Sequence, residues 1–482
     1  MSEPAYDIVI RGGTVATATD IVEAEVAIAG EEIAAIGRGL GPGKREIDAG
    51  GRLVLPGGVD PHCHVEQLSA NGLLNADTFE SATTAAAFGG TTSIISFAAQ
   101  HVGMRLATVA ADYHALARKG AIVDYGFHLI LADPTEETLA VDVPELVKTG
   151  HSSLKLFMTY DRLKVDDEKL LDVLWTARQN RAFVCVHAEN HGMIAWMGKR
   201  LVEKGLVAPK YHAPSHPRAS EAEAIDRLAA AAGMLDQPVM VFHVSTAEGA
   251  AAVRRARGAG IKLFAETCTQ YLLMTAADLD RPGLEGAKWM CSPPLREESD
   301  QEALWRAVEL GDLQVISSDH APYRLNETGK FSAGPNPTFK TIANGMPGLE
   351  LRLPLLFDAM VSKGRLGLNK FVEVAATAPA RIYNLPGKGS IAIGQDADVA
   401  IWNPDREVTI DDGAVHDGSG YTPYVGRTVR GWPETVIGRG RILVEDGALK
   451  AGPGTGKFLP REGGEAARPL GRPSPEIALL ME

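Results

Sequence analysis

Arg52-Leu53-Val54-Leu55-Pro56-Gly57-Gly58-Val59-Asp60-Pro61-His62-Cys63-His64 begins as an apolar run and closes on an acid and two histidines. An apolar run such as Arg52 to Val59 reads as a buried strand, and polar residues at its carboxyl end read as a site at one end of a sheet. Seven more runs follow, Thr92–Ala98, Val123–Ile130, Ser153–Met158, Ala182–His187, Val239–His243, Ile261–Glu266 and Leu313–Ser318. Amphipathic stretches separate them, among them Asp77–Phe88, Met104–Lys119, Asp166–Asn180, Ser220–Leu235, Thr246–Ala259 and Asp300–Leu310. Ser220, with Glu223 three residues on, suggests a capping box at a helix start. Eight strands alternating with helices over roughly 330 residues predict an α/β chain whose body is a (β/α)8 TIM-like barrel. A doubly wound nucleotide-binding sheet would carry G-x-G-x-x-G after its first strand, and none is present.

Both ends read differently. Short apolar runs bounded by Gly, Asp or Pro fill the first fifty residues (Tyr6–Ile10, Ile21–Ile28, Ile33–Ile36, Arg45–Ile47) and return after Gly387 (Ala397–Trp402, Val408–Ile410, Thr428–Arg430, Thr435–Ile437, Arg441–Val444). They predict a small β-sandwich domain formed from both termini, 1–55 and 387–455, around a barrel at 56–386. Residues 456–482, rich in Gly, Pro and charge, are expected to form a C-terminal arm.

Composition narrows the functional classes. With 45% hydrophobic and 23% charged residues the chain is ordinary for a globular protein. The net charge of −13 argues against nucleic acid and anionic membranes as partners. Cys63, Cys185, Cys268 and Cys291 include no C-x-x-C pair, the first residues lack a basic and then apolar leader, and no run is long enough to span a membrane. A cytoplasmic protein is expected.

Chemistry in such a barrel sits at the carboxyl ends of its strands. His62 and His64, two apart on an extended segment, point the same way and can share an ion. Alone, H-x-H also occurs as surface histidines, and a lone His closing a strand, as His187 and His243 do, is commonly a hydrogen-bonded core residue. Four histidines and Asp319 converging on one end of one barrel are harder to explain so. Lys155, inside Ser153–Met158, is either outward-facing or a buried amine that must lose its charge. A neutral amine beside a cation site can take up carbon dioxide as a carbamate and bridge two ions. Two divalent ions against carbamate, Asp319 and hydroxide leave a modestly positive site.

The motifs Pro56–His64, Lys155-Leu156-Phe157-Met158-Thr159-Tyr160, His187-Ala188-Glu189-Asn190, Phe242-His243-Val244-Ser245, Ser292-Pro293-Pro294-Leu295-Arg296, Ser318-Asp319-His320-Ala321-Pro322 and Asn344-Gly345-Met346-Pro347-Gly348 occur in one order over nearly the whole chain. In them the chain resembles the amidohydrolase superfamily and, within it, the hydantoinase and dihydropyrimidinase family of cyclic amide hydrolases. The resemblance implies two Zn2+ per subunit, one on His62, His64 and Asp319 and one on His187 and His243, bridged by carbamylated Lys155 (N6-carboxylysine). It implies a homo-oligomer, dimer or tetramer, acting on a small cyclic amide or imide. Tyr160 would bind the substrate carbonyl and developing oxyanion, and Ser292 and Asn344 the ring amide, largely through main-chain groups; by spacing alone the last two are turn residues. A hydroxide bridging the metals would attack, with Asp319 as catalytic proton shuttle, giving an N-carbamoyl amino acid or an amide-acid.

The chain departs from the family after the second histidine. Val65-Glu66-Gln67-Leu68-Ser69 stands where D-hydantoinases carry an apolar Met-Pro-Phe-like loop, which counts against a preference for bulky aromatic hydantoins and leaves cyclic imides or another small ring open. Glu66 would also repel a substrate carboxylate, against a dihydroorotase. Other readings are an allantoinase or another binuclear amidohydrolase, a mononuclear deaminase, and a non-catalytic hydantoinase-like scaffold; the six filled ligand positions oppose the last. His320 is expected to support the metal shell. His101, His114, His128, His151, His191, His212, His216 and His416 carry structural or solvent roles in this reading.

Overall fold

The computed structural model describes residues 4–481. Its centre is a sheet of eight strands, all parallel and in chain order: β1 (Gly58–Cys63), β2 (Thr91–Ala99), β3 (Asp124–Ile130), β4 (Ser153–Phe157), β5 (Phe183–His187), β6 (Val239–Val241), β7 (Leu263–Cys268) and β8 (Val315–Ser317). A parallel bridge from Cys63 to His320 brings the first strand to the end of the eighth, so the sheet nearly closes into the expected barrel. The strands are buried almost throughout, as parallel strands under helices must be.

The first apolar run is divided between two sheets. Leu53–Pro56 pairs antiparallel with Val399–Thr409 and parallel with Thr14–Ala16, whereas Gly58–Cys63 enters the barrel. The break falls at Gly57, where an added Cβ would stand 2.2 Å from Thr92 Oγ1. Only glycine lets the chain pass that close while changing sheets. The seven-stranded sheet joins strands from both ends of the chain, and a four-stranded sheet (Glu32–Gly37, Glu25–Ala29, Tyr6–Arg11, Gly43–Asp48) packs beside it. Ile8, Val26, Ile28 and Val54 from one end and Val399, Ile401 and Ile437 from the other share one apolar core.

Some elements differ from expectation. Ala397–Trp402 and Val408–Ile410 form one strand, Val399–Thr409, with an irregularity between Asn403 and Glu407. The helix expected to start at Ser220 spans Arg218–Leu235 after Pro217, so Ser220 lies in its first turn and caps nothing. Its buried environment, not its capping chemistry, governs that serine. The final segment crosses the amino-terminal face of the barrel: Tyr125 donates to Lys457 O (2.9 Å), Leu459 N to Tyr125 O (2.7 Å) and Arg461 N to Gly150 O (2.9 Å). Glu482 lies outside the described residues. Among those described, all four cysteines are buried and unpaired, and no helix is long and apolar enough to cross a membrane.

Candidate metal centre and substrate cavity

The carboxyl ends of β1, β4, β5, β6 and β8 meet at the barrel mouth, and the residues singled out in the sequence meet there with them. His62 and His64 close β1 on the same side. Asp319 follows β8, its Oδ1 3.1 Å from His62 Nε2 and 3.4 Å from His64 Nε2. These three form a cluster able to hold a metal ion. The His243 ring lies 5.4 Å from that of His62 and 4.4 Å from that of His187. Tyr160, His243 and Asp319 sit at φ +72°, +41° and +47°. Such angles are uncommon for residues with a Cβ and cost about 1–3 kcal/mol each, strain that clusters at functional sites.

Three partners of these groups were not apparent in the sequence. Glu266, buried in β7, bonds His62 Nδ1, Gln67 Oε1 accepts from His64 Nδ1 at 2.6 Å, and Glu189 Oε2 accepts from His187 Nε2 at 2.7 Å. Each holds the far nitrogen of its imidazole, which fixes the tautomer and turns the near nitrogen into the centre; this is how proteins prepare histidine for a metal. His243 keeps a buried Nδ1 with no partner among the described residues. Backed imidazoles, a carboxylate among them and an orphaned ring nitrogen fit a divalent cation. A signal for Glu266 did exist, since a carboxylate inside an apolar strand is the same anomaly as Lys155. We expect Glu266→Ala or Gln67→Ala to lower divalent-ion affinity about 10–100-fold, read by competition with a chelating dye. Unchanged affinity in both would make these acceptors dispensable.

Lys155 is 1% exposed. Its Nζ has no hydrogen bond or ion pair among the described residues and lies 4.1, 4.8 and 5.8 Å from the ring centres of Phe242, Phe157 and Phe97. Burial lowers its pKa to about 7. Burial also opposes ionisation of Asp319, but His62 and His64 outweigh it and hold that carboxyl well below its usual range. Tyr160 is pushed up, chiefly by burial. Its hydroxyl bonds Ser292, whose Oγ lies 3.4 Å from His212 Nε2.

A cavity of about 690 Å³ opens beside Tyr160 and Asn344, a volume suited to a small molecule. Asn344 Oδ1 is buried without a partner among the described residues. Ser292 meets the site through its bond to the Tyr160 hydroxyl and is not among the residues lining this cavity. His191 and His216, given structural or solvent roles from the sequence, do line it. Glu66 does not: at φ +49° its side chain turns away, and Oε2 accepts from Phe79 N (2.9 Å) at the start of helix Phe79–Phe88. The repulsion expected between Glu66 and a substrate carboxylate therefore has no basis; Ser69, Asn71 and Leu73 are what that loop turns toward the cavity. His320 sits against the cluster through its backbone, accepting from His64 N (2.6 Å), while its ring bonds Asp77 (2.8 Å) and Gly348 N (3.1 Å).

The amidohydrolase family model matches residues 53–443. A D-hydantoinase of Ralstonia pickettii is 41% identical over 457 residues, 94% of this chain and 99% of that protein. One of Geobacillus stearothermophilus is 39% identical over 456 residues, 94% and 96% of the two chains. A crystal structure of dihydropyrimidinase from Brevibacillus agri superposes with a TM-score of 0.91 at 38% identity, over 95% of this chain and 99% of that one. An L-hydantoinase from Arthrobacter aurescens gives 0.84 at 26% identity, over 95% and 100%.

Proposed function

The chain belongs to the amidohydrolase family, in its hydantoinase and dihydropyrimidinase group, and from that premise we propose that it hydrolyses the ring amide of a small cyclic amide or imide. The observation that carries this reading is the cluster of buried His62 with partly buried His64 and Asp319 at the mouth of a barrel that also buries Lys155, unpaired among the described residues. In it, His62, His64 and Asp319 would hold one zinc ion and His187 and His243 a second, with Lys155, as N6-carboxylysine, supplying oxygen ligands to both. When bound, such a pair supplies an acidified water and a Lewis acid towards the ring carbonyl.

The chain's own groups do the rest. Tyr160, kept protonated at neutral pH by burial, donates its hydroxyl hydrogen to the carbonyl oxygen as charge develops there. Asn344, whose Oδ1 at the cavity wall is unpartnered among the described residues, accepts from the ring N–H, and Ser292, which also bonds the Tyr160 hydroxyl, joins it in binding the ring amide. Asp319, ionised, takes a proton from the attacking water and returns it to the ring nitrogen as the C–N bond opens. The product is an N-carbamoyl amino acid or an amide-acid.

Metal analysis of the purified protein should give close to two zinc ions per chain. The zinc-loaded protein should hydrolyse at least one of dihydrouracil, hydantoin, 5-substituted hydantoins, allantoin, succinimide and phthalimide. Full activity with well under two ions would sink the binuclear centre, and no turnover of any of these rings would sink the ring-opening reading.

A further inference from the structure

Lys330 follows Asn326-Glu327-Thr328-Gly329 in a polar loop, where a lysine is ordinarily solvated, yet it is fully buried. Its Nζ has no ion pair among the described residues and donates to two main-chain carbonyls instead, Ala343 O (2.9 Å) and Met290 O (3.3 Å). The loop is wound to deliver it there. Lys330 N donates to Arg324 O (2.8 Å) and Phe331 N to Asn326 O (2.9 Å), and a Cβ on Gly329 would stand 2.1 Å from Arg324 O.

Both carbonyls belong to segments that carry the residues assigned to the ring amide. Ala343 precedes Asn344, and the two line the cavity together; Met290 lies two residues before Ser292. Lys330 grips Ala343 at both of its main-chain polar groups, since Ala343 N donates to Lys330 O (3.2 Å), and its Nζ is the one donor to Ala343 O among the described residues. Gly345 N donates to Met290 O (2.9 Å), so three segments meet on that oxygen. In a planar trans peptide the carbonyl and the following N–H point in opposite directions. With Ala343 O held against a buried amine, the Asn344 N–H is turned the other way, and it makes no hydrogen bond among the described residues. That N–H and the unpartnered Oδ1 give Asn344 a donor and an acceptor, the complement of a ring amide's C=O and N–H. Burial lowers the Lys330 pKa to about 7. Either form serves, because an ammonium has N–H groups to spare for two carbonyls and a neutral amine has just enough.

We propose that Lys330 is a positioning residue for ring-amide binding, fixing the Ala343–Asn344 peptide against the Met290–Ser292 segment so that Asn344 meets the ring. The proposal rests on the ring-opening reading, and its test separates the two. Lys330→Met keeps the apolar stem and removes the donors, whereas Lys330→Gln keeps an N–H donor on a shorter chain. The substrate is whichever of the rings named above the unaltered zinc-loaded protein opens best. Lys330→Met should raise KM about tenfold with kcat held within about threefold, as loss of one well-aimed hydrogen bond to the ring would, and Lys330→Gln should raise KM only about threefold. Zinc content should match the unaltered protein. Loss of folded protein lowers the apparent kcat and leaves KM, so this split, with partial rescue by glutamine, distinguishes positioning from mere stability. A KM within about twofold of the unaltered value in Lys330→Met, or a fall in kcat alone, overturns the proposal. If Lys330→Met does not fold, the KM of Lys330→Gln decides on the same terms; if neither folds, the lysine is structural and the proposal falls. If the unaltered protein opens none of the rings, the ring-opening reading fails, and calorimetric affinity for the same rings, expected to fall about tenfold in Lys330→Met, still decides on Lys330. No binding of any ring by the unaltered protein overturns both.

Discussion

Asp319→Asn should lower kcat for ring opening by about 10³-fold or more, in the upper part of the range a positioned general acid–base group contributes. The substitution is nearly isosteric, and asparagine is among the few residues that accept φ near +47°, so the turn after β8 should survive. What changes is charge. The carboxylate oxygen that stands 3.1 Å from His62 Nε2 and 3.4 Å from His64 Nε2 becomes an amide atom that can take up no proton. Its ionised state depends on the competition between burial and the neighbouring imidazoles, and an amide has no equivalent. For a neutral substrate, kcat and kcat/KM should fall together, because the lost interaction belongs to the transition state. Zinc content measured alongside separates lost proton transfer from lost metal. A variant that keeps its metal and turns over within tenfold of the unaltered protein would remove Asp319 from the chemistry.

The residues legible in the sequence are those whose meaning lies in local periodicity. His62 and His64 are two apart on one strand, and His187, His243 and Asp319 close or follow apolar runs, so their convergence follows once the barrel is inferred. The division of Arg52–Val59 was not legible because both halves are equally apolar; only the 2.2 Å approach to Thr92 shows why the chain changes sheets at Gly57. The supporting acceptors were hidden for a different reason. Glu266 lies 204 residues from His62 in the chain, and Glu189 and His216 are 27 apart, so only the tertiary fold pairs them. Glu66 misled because charge was read without direction: its positive φ turns the carboxylate onto the end of a helix, where it is stabilised by unpaired backbone N–H groups. The loop reaches the cavity through Ser69, Asn71 and Leu73 instead.

Lys155→Ala should reduce bound zinc from about two ions per chain to one or none and lower kcat by about 10³-fold or more, a loss on the scale of a disabled metal centre. Lys155 has three aromatic faces and no hydrogen bond or ion pair at its Nζ among the described residues, and burial outweighs the pull of the Asp319 and Glu266 carboxylates nearby. Cation–π contact supplies about 2 kcal/mol when desolvated, whereas burying an ammonium costs several. The amine therefore gives up its proton near pH 7 and becomes nucleophilic towards carbon dioxide. Metal-free protein reloaded with zinc in buffer stripped of carbon dioxide should recover little activity, and adding bicarbonate should restore it; the intact native chain should carry a mass increment equal to one CO2. Equal recovery with and without bicarbonate would remove the carbamate. A thermodynamic signature accompanies it. Between pH 7 and the ordinary lysine value of 10.5 the unfolded chain holds a proton that the folded metal-free chain does not, so stability from this group rises with pH across that window. Below pH 7 both states are protonated and the slope disappears. In Lys155→Ala the rise should be absent, and urea denaturation of the two metal-free proteins at several pH values within the window distinguishes a neutral buried amine from one that keeps its charge.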